Sequence, residues 1–201
     1  MKESFAAYVE RDLEPRSLVI TCGLPASYKT GIAEDILSLK RFIVLRSDLI
    51  RREVLKNEDV FDEKVAGNMN KRLSVYDEMF RRADELASKT AGGIILDATF
   101  VTQDLRERAA EIAAKHGMSL VIMETSCPDE VALNRISRRT KEKYESNALT
   151  PEAYFSNKAR FEPVNVEALK KKYPKLKIDH LVIDTCRGGL KNLNIIAEEK
   201  R

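Results

Sequence analysis

The stretch "TCGLPASYKTGI", residues 21–32, decides the fold. It nearly matches the pattern G-x-x-x-x-G-K-[ST], in which backbone N–H groups and a lysine hold phosphate groups. Gly23, Lys29 and Thr30 stand in the required register, whereas Tyr28 occupies the position of the second glycine. The stretch therefore predicts a phosphate-binding loop with one substituted position.

Short apolar runs rich in Val and Ile flank this loop and recur along the chain, which predicts strands that are buried on both faces and therefore parallel. They cover residues 17–22, 42–46, 93–98, 119–125 and 180–185. Helical patterns fill the intervals at residues 29–40, 59–90 (one or two helices), 105–115 and 128–139. The alternation predicts a three-layer α/β domain with a five-stranded, mostly parallel sheet. Ligands in such sheets bind at the carboxyl ends of the strands.

Length and composition limit the alternatives. A chain of 201 residues, 43% of them hydrophobic, predicts a single domain over residues 1–201. The net charge of only +3 creates no general attraction to nucleic acid or membrane. No apolar run approaches the roughly 18 residues of a membrane span. Cys22, Cys127 and Cys186 are too few and too far apart for a disulfide framework, so we expect reduced thiols and a cytoplasmic protein.

The loop follows a predicted strand and opens a predicted helix, which is the context that the motif requires. The residues expected to bind the nucleotide are Gly23, Pro25, Ala26, Ser27, Tyr28, Lys29 and Thr30. Lys29 would reach the β- and γ-phosphates, and the Thr30 hydroxyl would be a magnesium ligand. The competing interpretation is an ordinary Gly/Pro turn whose lysine is merely solvated, and the strand–loop–helix context favours the phosphate loop.

Asp48 follows the second predicted strand in "FIVLRSDLIRRE". Phosphoryl transfer to a hydroxyl needs a carboxylate that positions the hydroxyl and accepts its proton, and Asp48 is placed for that task. The alternative is an N-cap of the next helix by Ser47 or Asp48. Both interpretations hold together if Ser47 is the cap.

Asp97 ends the third predicted strand in "IILDATF", a form typical of a Walker B segment. Its carboxylate would handle magnesium, often through the water shell of the ion. An Asp at a strand end can instead cap the following helix, but Thr102 and Gln103 are better placed as caps here. Thr30 and Asp97 are therefore the predicted metal-site residues.

Several segments in this order resemble one family, the P-loop kinases of the predicted AAA-type ATP-binding kinase group, related to polynucleotide 5′-hydroxyl kinase and zeta-type toxins. The resemblance runs from about residue 17 to residue 185. It rests on "GLPASYKT", "SDLIR", "ILDATF", "RERAAEIAAKHG", "CPDEVALNRISRR", "SNA" and "FEPV". It implies a P-loop NTPase fold with a helical lid at about residues 135–160.

The resemblance also implies roles for individual residues. Asp48 is then the base that activates the acceptor hydroxyl, Arg51 contacts the acceptor, and Arg135 and Arg139 belong to the lid over the nucleotide. The two lid arginines are four residues apart, which predicts one helix face. The polar stretch that follows, residues 138–147, lacks core residues, as a flexible cover would.

The sequence departs from the family pattern at Ala26, Tyr28 and Asn147. A residue other than glycine before the lysine adopts the required backbone conformation only at a cost of roughly 1–2 kcal/mol. We therefore expect a loop distorted at residues 26–28, and we expect Tyr28→Gly to tighten ATP binding if this strain dominates. If the ring contacts the nucleotide instead, the same change weakens binding.

These residues predict an ATP- and magnesium-dependent kinase, a phosphotransferase that moves the γ-phosphoryl group to a hydroxyl. The acceptor could be a polynucleotide 5′ end, a nucleotide sugar or a small metabolite, and the fold does not choose among them. The alternative is a non-catalytic or regulatory ATP-binding module, marked by Tyr28. The lysines of residues 170–177 could contact a nucleic-acid acceptor, although a solvated helix face and turn is the favoured interpretation. We expect no membrane partner.

Overall fold

One sheet runs through the computed structural model, which describes residues 3–140 and 148–201. Its strands, within those residues, are β1 (Glu3–Ser4), β2 (Ser17–Cys22), β3 (Ile43–Arg46), β4 (Ile94–Asp97), β5 (Ser119–Ser126), β6 (Ile178–Asp184) and β7 (Asn194–Lys200). The order across the sheet is β1-β7-β6-β5-β2-β4-β3. The five strands from β6 to β3 are parallel, whereas β7 and β1 are antiparallel.

The predicted five-stranded sheet was therefore too small, because the sheet has seven strands. The five predicted strands are the parallel ones. β7 escaped prediction because its sequence, "NIIAEEK", carries three charged residues and lacks a continuous apolar run. β1 is only two residues long and pairs with β7 near the sheet edge.

Helices cover both faces of the sheet. They are α1 (Phe5–Arg11), α2 (Lys29–Leu39), α3 (Ser47–Val54), α4 (Glu63–Gly67), α5 (Met69–Lys89), α6 (Gln103–Lys115), α7 (Asp129–Ser137), α8 (Pro151–Lys158) and α9 (Val166–Lys172). Successive strand side chains point to opposite faces. Leu18 and Ile20 pack with α5, α6 and α9, whereas Val19 packs with α1 and α2. β2 is therefore buried on both faces, as its apolar run predicts.

The predicted apolar stripe over residues 59–90 extends too far toward its N-terminal end. Met69 and Leu73 remain 47% and 43% exposed, and burial in the core begins at Val75. Asn68 separates α4 from α5, since its Oδ1 accepts a hydrogen bond from the Lys71 N–H at 3.2 Å. The first turns of α5 are therefore free to form the wall of a cavity.

The N-terminal residues belong to the domain. Phe5, Tyr8 and Val9 are fully buried, and the Tyr8 hydroxyl donates to Asp179 Oδ2 at 2.9 Å. The Phe5 N–H donates to the Leu193 carbonyl, so α1 is fixed to the antiparallel end of the sheet. This segment stabilises the part of the sheet that the sequence did not predict.

The predicted lid differs from expectation at Arg139, and part of it lies outside the described residues. α7 ends at Ser137, so Arg139 lies beyond it and does not share a helix face with Arg135. Most of the polar stretch, including Asn147, falls in residues 141–147, outside the described residues. Among the helices that the structure describes, none is long and apolar enough to cross a membrane.

Candidate active site

A cavity of about 1010 Å³ opens at the carboxyl ends of β2, β3 and β4. It is the right size for a small-molecule site. Most of the predicted site residues line it: Pro25, Ala26, Tyr28, Lys29, Thr30, Asp48, Arg51, Asp97, Arg135 and Arg139. Residues from three strand ends and from the α7 region thus face one space.

The phosphate loop holds three residues at positive φ. Gly23 has φ 144°, Ala26 has φ 61° and Tyr28 has φ 72°. A Cβ on Gly23 would stand only 2.2 Å from the Thr125 Oγ1, so glycine is required there for steric reasons as well. Ala26 and Tyr28 adopt left-handed conformations that cost residues with a Cβ roughly 1–2 kcal/mol each. The structure therefore shows left-handed backbone at Ala26 and Tyr28, within the stretch 26–28 where strain was predicted.

Gly23 and Ser27 do not line the main cavity. The Ser27 Oγ lies 2.5 Å from the Thr125 Oγ1 and donates to the Leu24 carbonyl at 2.7 Å. Both residues instead line a smaller cavity of about 320 Å³ behind the loop. Ser27 thus connects the loop to β5, whereas Pro25, Ala26 and Tyr28 face the main cavity.

Lys29 is the first residue of α2, and its Nζ donates to the Leu24 carbonyl at 2.6 Å. Burial lowers the pKa of Lys29 to about 8, although the nearby carboxylates of Asp97 and Asp48 oppose that shift. An anion bound at this amine would favour the charged form and raise its pKa again. Lys29 is therefore suited to receive a phosphate group.

Asp97 is held by two hydroxyl donors. The Thr30 Oγ1 donates to Oδ2 at 2.8 Å, and the Thr21 Oγ1 lies 3.2 Å from Oδ1. Burial raises the pKa of Asp97, and the bonds from Thr30 and the charge of Lys29 oppose this shift. A hydroxyl and a carboxylate are hard oxygen donors of the kind that Mg²⁺ prefers. These two residues fit a magnesium ion that completes its coordination with phosphate oxygens and water.

Asp48 forms an ion pair with Arg51, one turn later in α3. The side chains are 28% and 15% exposed, respectively. α3 begins at Ser47 with Arg46 in the cap position and without a side-chain cap bond, so the predicted capping role of Ser47 is wrong. Asp48 is thus an oriented carboxylate on the cavity wall.

Arg135 joins the phosphate loop to the end of β6. Its guanidinium donates to the carbonyls of Ala26 at 3.2 Å, Thr185 at 2.6 Å and Cys186 at 3.1 Å. Arg139 donates to the Ala148 carbonyl at 3.0 Å. Both arginines line the cavity although they do not share a helix, because the chain turns at the end of α7.

The sequence did not indicate the α5–α8 wall of the cavity. Arg72, Tyr76 and Asn157 line it, and Thr99 contributes from the loop after β4. Tyr76 fits the apolar stripe of α5, and Arg72 lies one turn earlier among polar residues. These residues form one wall only because α3, α5 and α8 lie side by side around the cavity, which the sequence does not show.

The lysines of residues 170–177 lie elsewhere, since none of them lines the cavity. Lys172 pairs with Glu107, Lys177 pairs with Glu14, and the Lys170 Nζ donates to the Leu176 carbonyl at 2.7 Å. These contacts favour the interpretation as a solvated surface rather than a nucleic-acid site.

Comparison with known proteins agrees with this geometry. The chain resembles a sugar kinase from Janibacter sp. HTCC2649 (18% identity, TM-score 0.61, 86% of this chain and 87% of that one). It also resembles a gluconokinase from Sinorhizobium meliloti 1021 (14%, 0.59, 87% and 85%) and a kinase-like protein from Chloroflexus aurantiacus J-10-fl (16%, 0.63, 87% and 87%).

At these identities the likeness shows a shared fold. A search of curated proteins by sequence gave no match. The relation to polynucleotide kinase and zeta-type toxins stays a prediction. A family described as "AAA domain" matches residues 18–164, a range that includes residues 23–30, Asp48, Asp97, Arg135 and Arg139. The chain therefore belongs to the AAA domain family of P-loop proteins.

Proposed function

We propose that the protein is a kinase that transfers the γ-phosphoryl group of ATP to a hydroxyl of a small molecule, with Mg²⁺ as cofactor. One observation carries this proposal: Lys29, Asp48 and Asp97 come from three different strand ends and line one cavity. The charges of Asp48 and Asp97 both act on Lys29. Two of the structurally similar proteins are a sugar kinase and a gluconokinase, which supports the same reaction class.

The residues divide the work of the transfer. The loop N–H groups and Lys29 hold the phosphates, and Thr30 with Asp97 holds the magnesium ion. Bound Mg²⁺ supplies neutralisation of charge on the phosphate oxygens. Arg51 orients the Asp48 carboxylate, which accepts the proton of the acceptor hydroxyl while the acceptor oxygen bonds to phosphorus and ADP leaves. Arg135 and Arg139 contribute positive charge beside the transferred group.

The test is phosphoryl transfer from γ-labelled ATP to a panel of acceptors: glucose, gluconate, UDP-glucose, and a DNA oligonucleotide with a free 5′-hydroxyl. We expect transfer to a small molecule. Asp48→Asn is expected to keep ATP binding and to lose transfer by about 10²–10⁴-fold, the usual contribution of a positioned acid–base group. Glu53→Gln is the matched control, because Glu53 is also on α3 but pairs with Arg82 outside the cavity.

The outcomes separate the candidate functions. Transfer by Asp48→Asn at the wild-type rate would remove Asp48 as the base. ATP binding without transfer to any acceptor, including a whole extract of small metabolites, would favour the non-catalytic nucleotide-binding module. Transfer to the oligonucleotide alone would favour a polynucleotide acceptor.

A further inference from the structure

Arg72 lies in the first turn of α5 and lines the cavity. Its Nη2 donates to the Asn157 Oδ1 at 2.8 Å. A guanidinium has five N–H donors, so this single bond leaves most of them without a protein acceptor. Within residues 3–140 and 148–201, no carboxylate forms an ion pair with Arg72.

Other well-covered arginines of this protein are differently arranged. Arg106 makes five hydrogen bonds, four of them to backbone carbonyls. Arg16 and Arg135 each donate to three carbonyls. These arginines connect parts of the fold. Among the described residues Arg72 makes one side-chain hydrogen bond, and it lines the open cavity, so its remaining donors can meet a ligand there.

Three ionisable side chains act on Arg72: Arg160 and Arg51 are cations, and Tyr76, whose pKa burial raises, is neutral at pH 7. Burial, and then the charges of Arg160 and Arg51, lower the pKa of Arg72 to about 10. Arg72 is still protonated at neutral pH. Asp48 neutralises Arg51, but no carboxylate among the described residues does so for Arg72 or Arg160. An anion placed here would relieve a repulsion that the residues described by the structure leave uncompensated.

The position of Arg72 relative to the reaction follows from its neighbours. Lys29 interacts with Asp48, Asp48 pairs with Arg51, and Arg51 acts on Arg72. Asp48, Arg51 and Arg72 line the same cavity, and Arg51 is the neighbour that Asp48 and Arg72 share. An acceptor with its hydroxyl at Asp48 would extend toward Arg72.

We propose that Arg72 binds an anionic group, a carboxylate or a phosphate, on the acceptor, so that the substrate is a negatively charged alcohol. This inference rests on the proposed function. Arg72 thereby becomes a specificity-determining residue that selects against neutral sugars and polyols. Carboxylates and phosphates both match the planar fork of a guanidinium.

Asn157 positions Arg72 for this task. Asn157 is 6% exposed, and its Nδ2 donates to the Ala153 carbonyl at 2.7 Å within α8. The amide is thus fixed with its oxygen toward Arg72. A neutral acceptor holds the guanidinium in place without cancelling its charge, whereas a carboxylate at position 157 would do so.

The first test measures anion binding and does not need the natural substrate. With Mg²⁺ and ADP filling the nucleotide site, the protein is titrated with glycolate, inorganic phosphate and ethylene glycol while its arginine Nε–H signals are followed by NMR. We expect saturable binding of glycolate or phosphate with a response at Arg72, and none of ethylene glycol. Arg72→Gln should lower the affinity for the anion by about 10-fold or more, which corresponds to the loss of one charged hydrogen bond.

Arg52→Gln is the charge-matched control, since Arg52 is exposed on α3 and does not line the cavity. An equal loss of anion affinity in this control would show that only the net charge of the protein matters, and it would overturn the inference. The absence of any anion response at Arg72 in the wild type would also overturn it. An unchanged ADP affinity shows that Arg72→Gln is folded. The anion that binds distinguishes a carboxylate from a phosphate.

The second test is transfer, with gluconate and sorbitol as a charged and a neutral acceptor of equal length, and glucose 6-phosphate and glucose as a second pair. We expect the charged member of at least one pair to be preferred, and Arg72→Gln to raise its KM more than it lowers kcat. Equal use of both members of each pair, unchanged by Arg72→Gln, would overturn this inference and leave the kinase proposal intact. Anion binding at Arg72 without any transfer would overturn the kinase proposal alone.

Discussion

The Tyr28 hydroxyl accepts a hydrogen bond from the Gly189 N–H at 2.8 Å. This bond connects the phosphate loop with the segment between β6 and β7, 161 residues away in sequence. The ring lies against Gly31 and Gly188, where an added Cβ would meet it at 2.2 Å and 2.6 Å. Burial is the main cause of the raised pKa of Tyr28. The residue that breaks the glycine pattern is therefore part of the packing between two segments.

Tyr28→Phe removes the hydroxyl and keeps the ring. The Gly189 N–H then loses its acceptor, so we expect faster hydrogen exchange at Gly189 and about 1 kcal/mol lower free energy of unfolding. Urea denaturation and amide exchange measure both effects. Lys191→Ala, an exposed change in the same segment, is the control. An unchanged exchange rate at Gly189 would show that the bond does not hold the segment.

Tyr28→Gly tests the strain itself. Glycine adopts the left-handed conformation freely, which favours a tighter ATP site, but the variant also loses the ring and its bond to Gly189. We expect the gain in ATP affinity to fall at or below the low end of the roughly 5- to 30-fold that 1–2 kcal/mol of strain corresponds to. Calorimetry measures the affinity. Weaker binding would mean that the ring contributes more than the strain costs.

Lys29 makes nucleotide binding depend on pH. Its pKa is lowered to about 8 by burial, so at pH 9 about nine-tenths of the free amines are neutral. Phosphate oxygens favour the charged form and raise the pKa, so binding of ATP at pH 9 takes up close to one proton. ATP affinity therefore falls as the pH rises above 8.

Calorimetry in two buffers of different ionisation enthalpy measures this proton uptake. Lys29→Arg stays charged throughout and should show none, whereas Lys29→Ala should lose ATP affinity at every pH and remain folded. Proton uptake that is the same in the wild type and in Lys29→Arg would contradict the assignment to this amine.

Asp97→Asn separates the metal from the nucleotide. The amide keeps the size of the side chain but loses the negative charge that a magnesium ion would face. We expect the Mg²⁺ concentration for half-maximal turnover to rise by about 10–100-fold, the usual cost of disturbing a metal site. Magnesium-free ATP should bind equally well or better, because one negative charge is gone. Asp84→Asn is the control, because Asp84 lies near the C-terminal end of α5 and its carboxylate pairs with Lys115 of α6. An unchanged magnesium requirement would remove Asp97 from the metal site.

How far the sequence predicts this structure depends on how local each signal is. The five parallel strands are predictable because each is a short, largely apolar run, the pattern of a parallel strand. β2 and β4 are buried on both faces, whereas β3 at the sheet edge is only partly buried and Ile43 is exposed. The phosphate loop, Asp48 and Asp97 are predictable because each directly follows or ends such a strand. β7 is not predictable in this way, because a strand near the edge of the sheet tolerates charged residues and β7 therefore lacks a long apolar run.

Residues with roles across the fold leave no local signal. Arg72 lies on the polar face of a helix, and only the contact with Asn157, 85 residues later, distinguishes it from a solvated arginine. Arg139 was expected on the helix face of Arg135, but α7 ends two residues before it. Arg106 belongs to a run of charged residues, "RERAAEIAAKHG", that resembles a surface helix.

Arg106 is in fact fully buried. It donates to the carbonyls of Phe100, Val101, Glu162 and Pro163, and so joins the loop after β4 to the loop before α9. Arg106→Leu would remove the guanidinium from all four carbonyls; Val101 keeps the Glu162 N–H and Phe100 keeps the weak Cys22 thiol donor, whereas Glu162 and Pro163 lose their side-chain donor. Each unpaired buried group costs about 1–3 kcal/mol. We expect a loss of about 3 kcal/mol or more in the free energy of unfolding, measured by urea denaturation.

The control is Arg108→Leu on the same helix. The Arg108 side chain is 39% exposed, pairs with Asp77 and lies over the Phe80 ring, so its replacement should cost about 1 kcal/mol. Arg106→Lys keeps the charge but not the fork of donors, and we expect it to recover only a minor part of the loss, because one ammonium group cannot reach carbonyls on both loops. A loss in Arg106→Leu no larger than that of Arg108→Leu would mean that the two loops are held together by their apolar contacts rather than by this guanidinium.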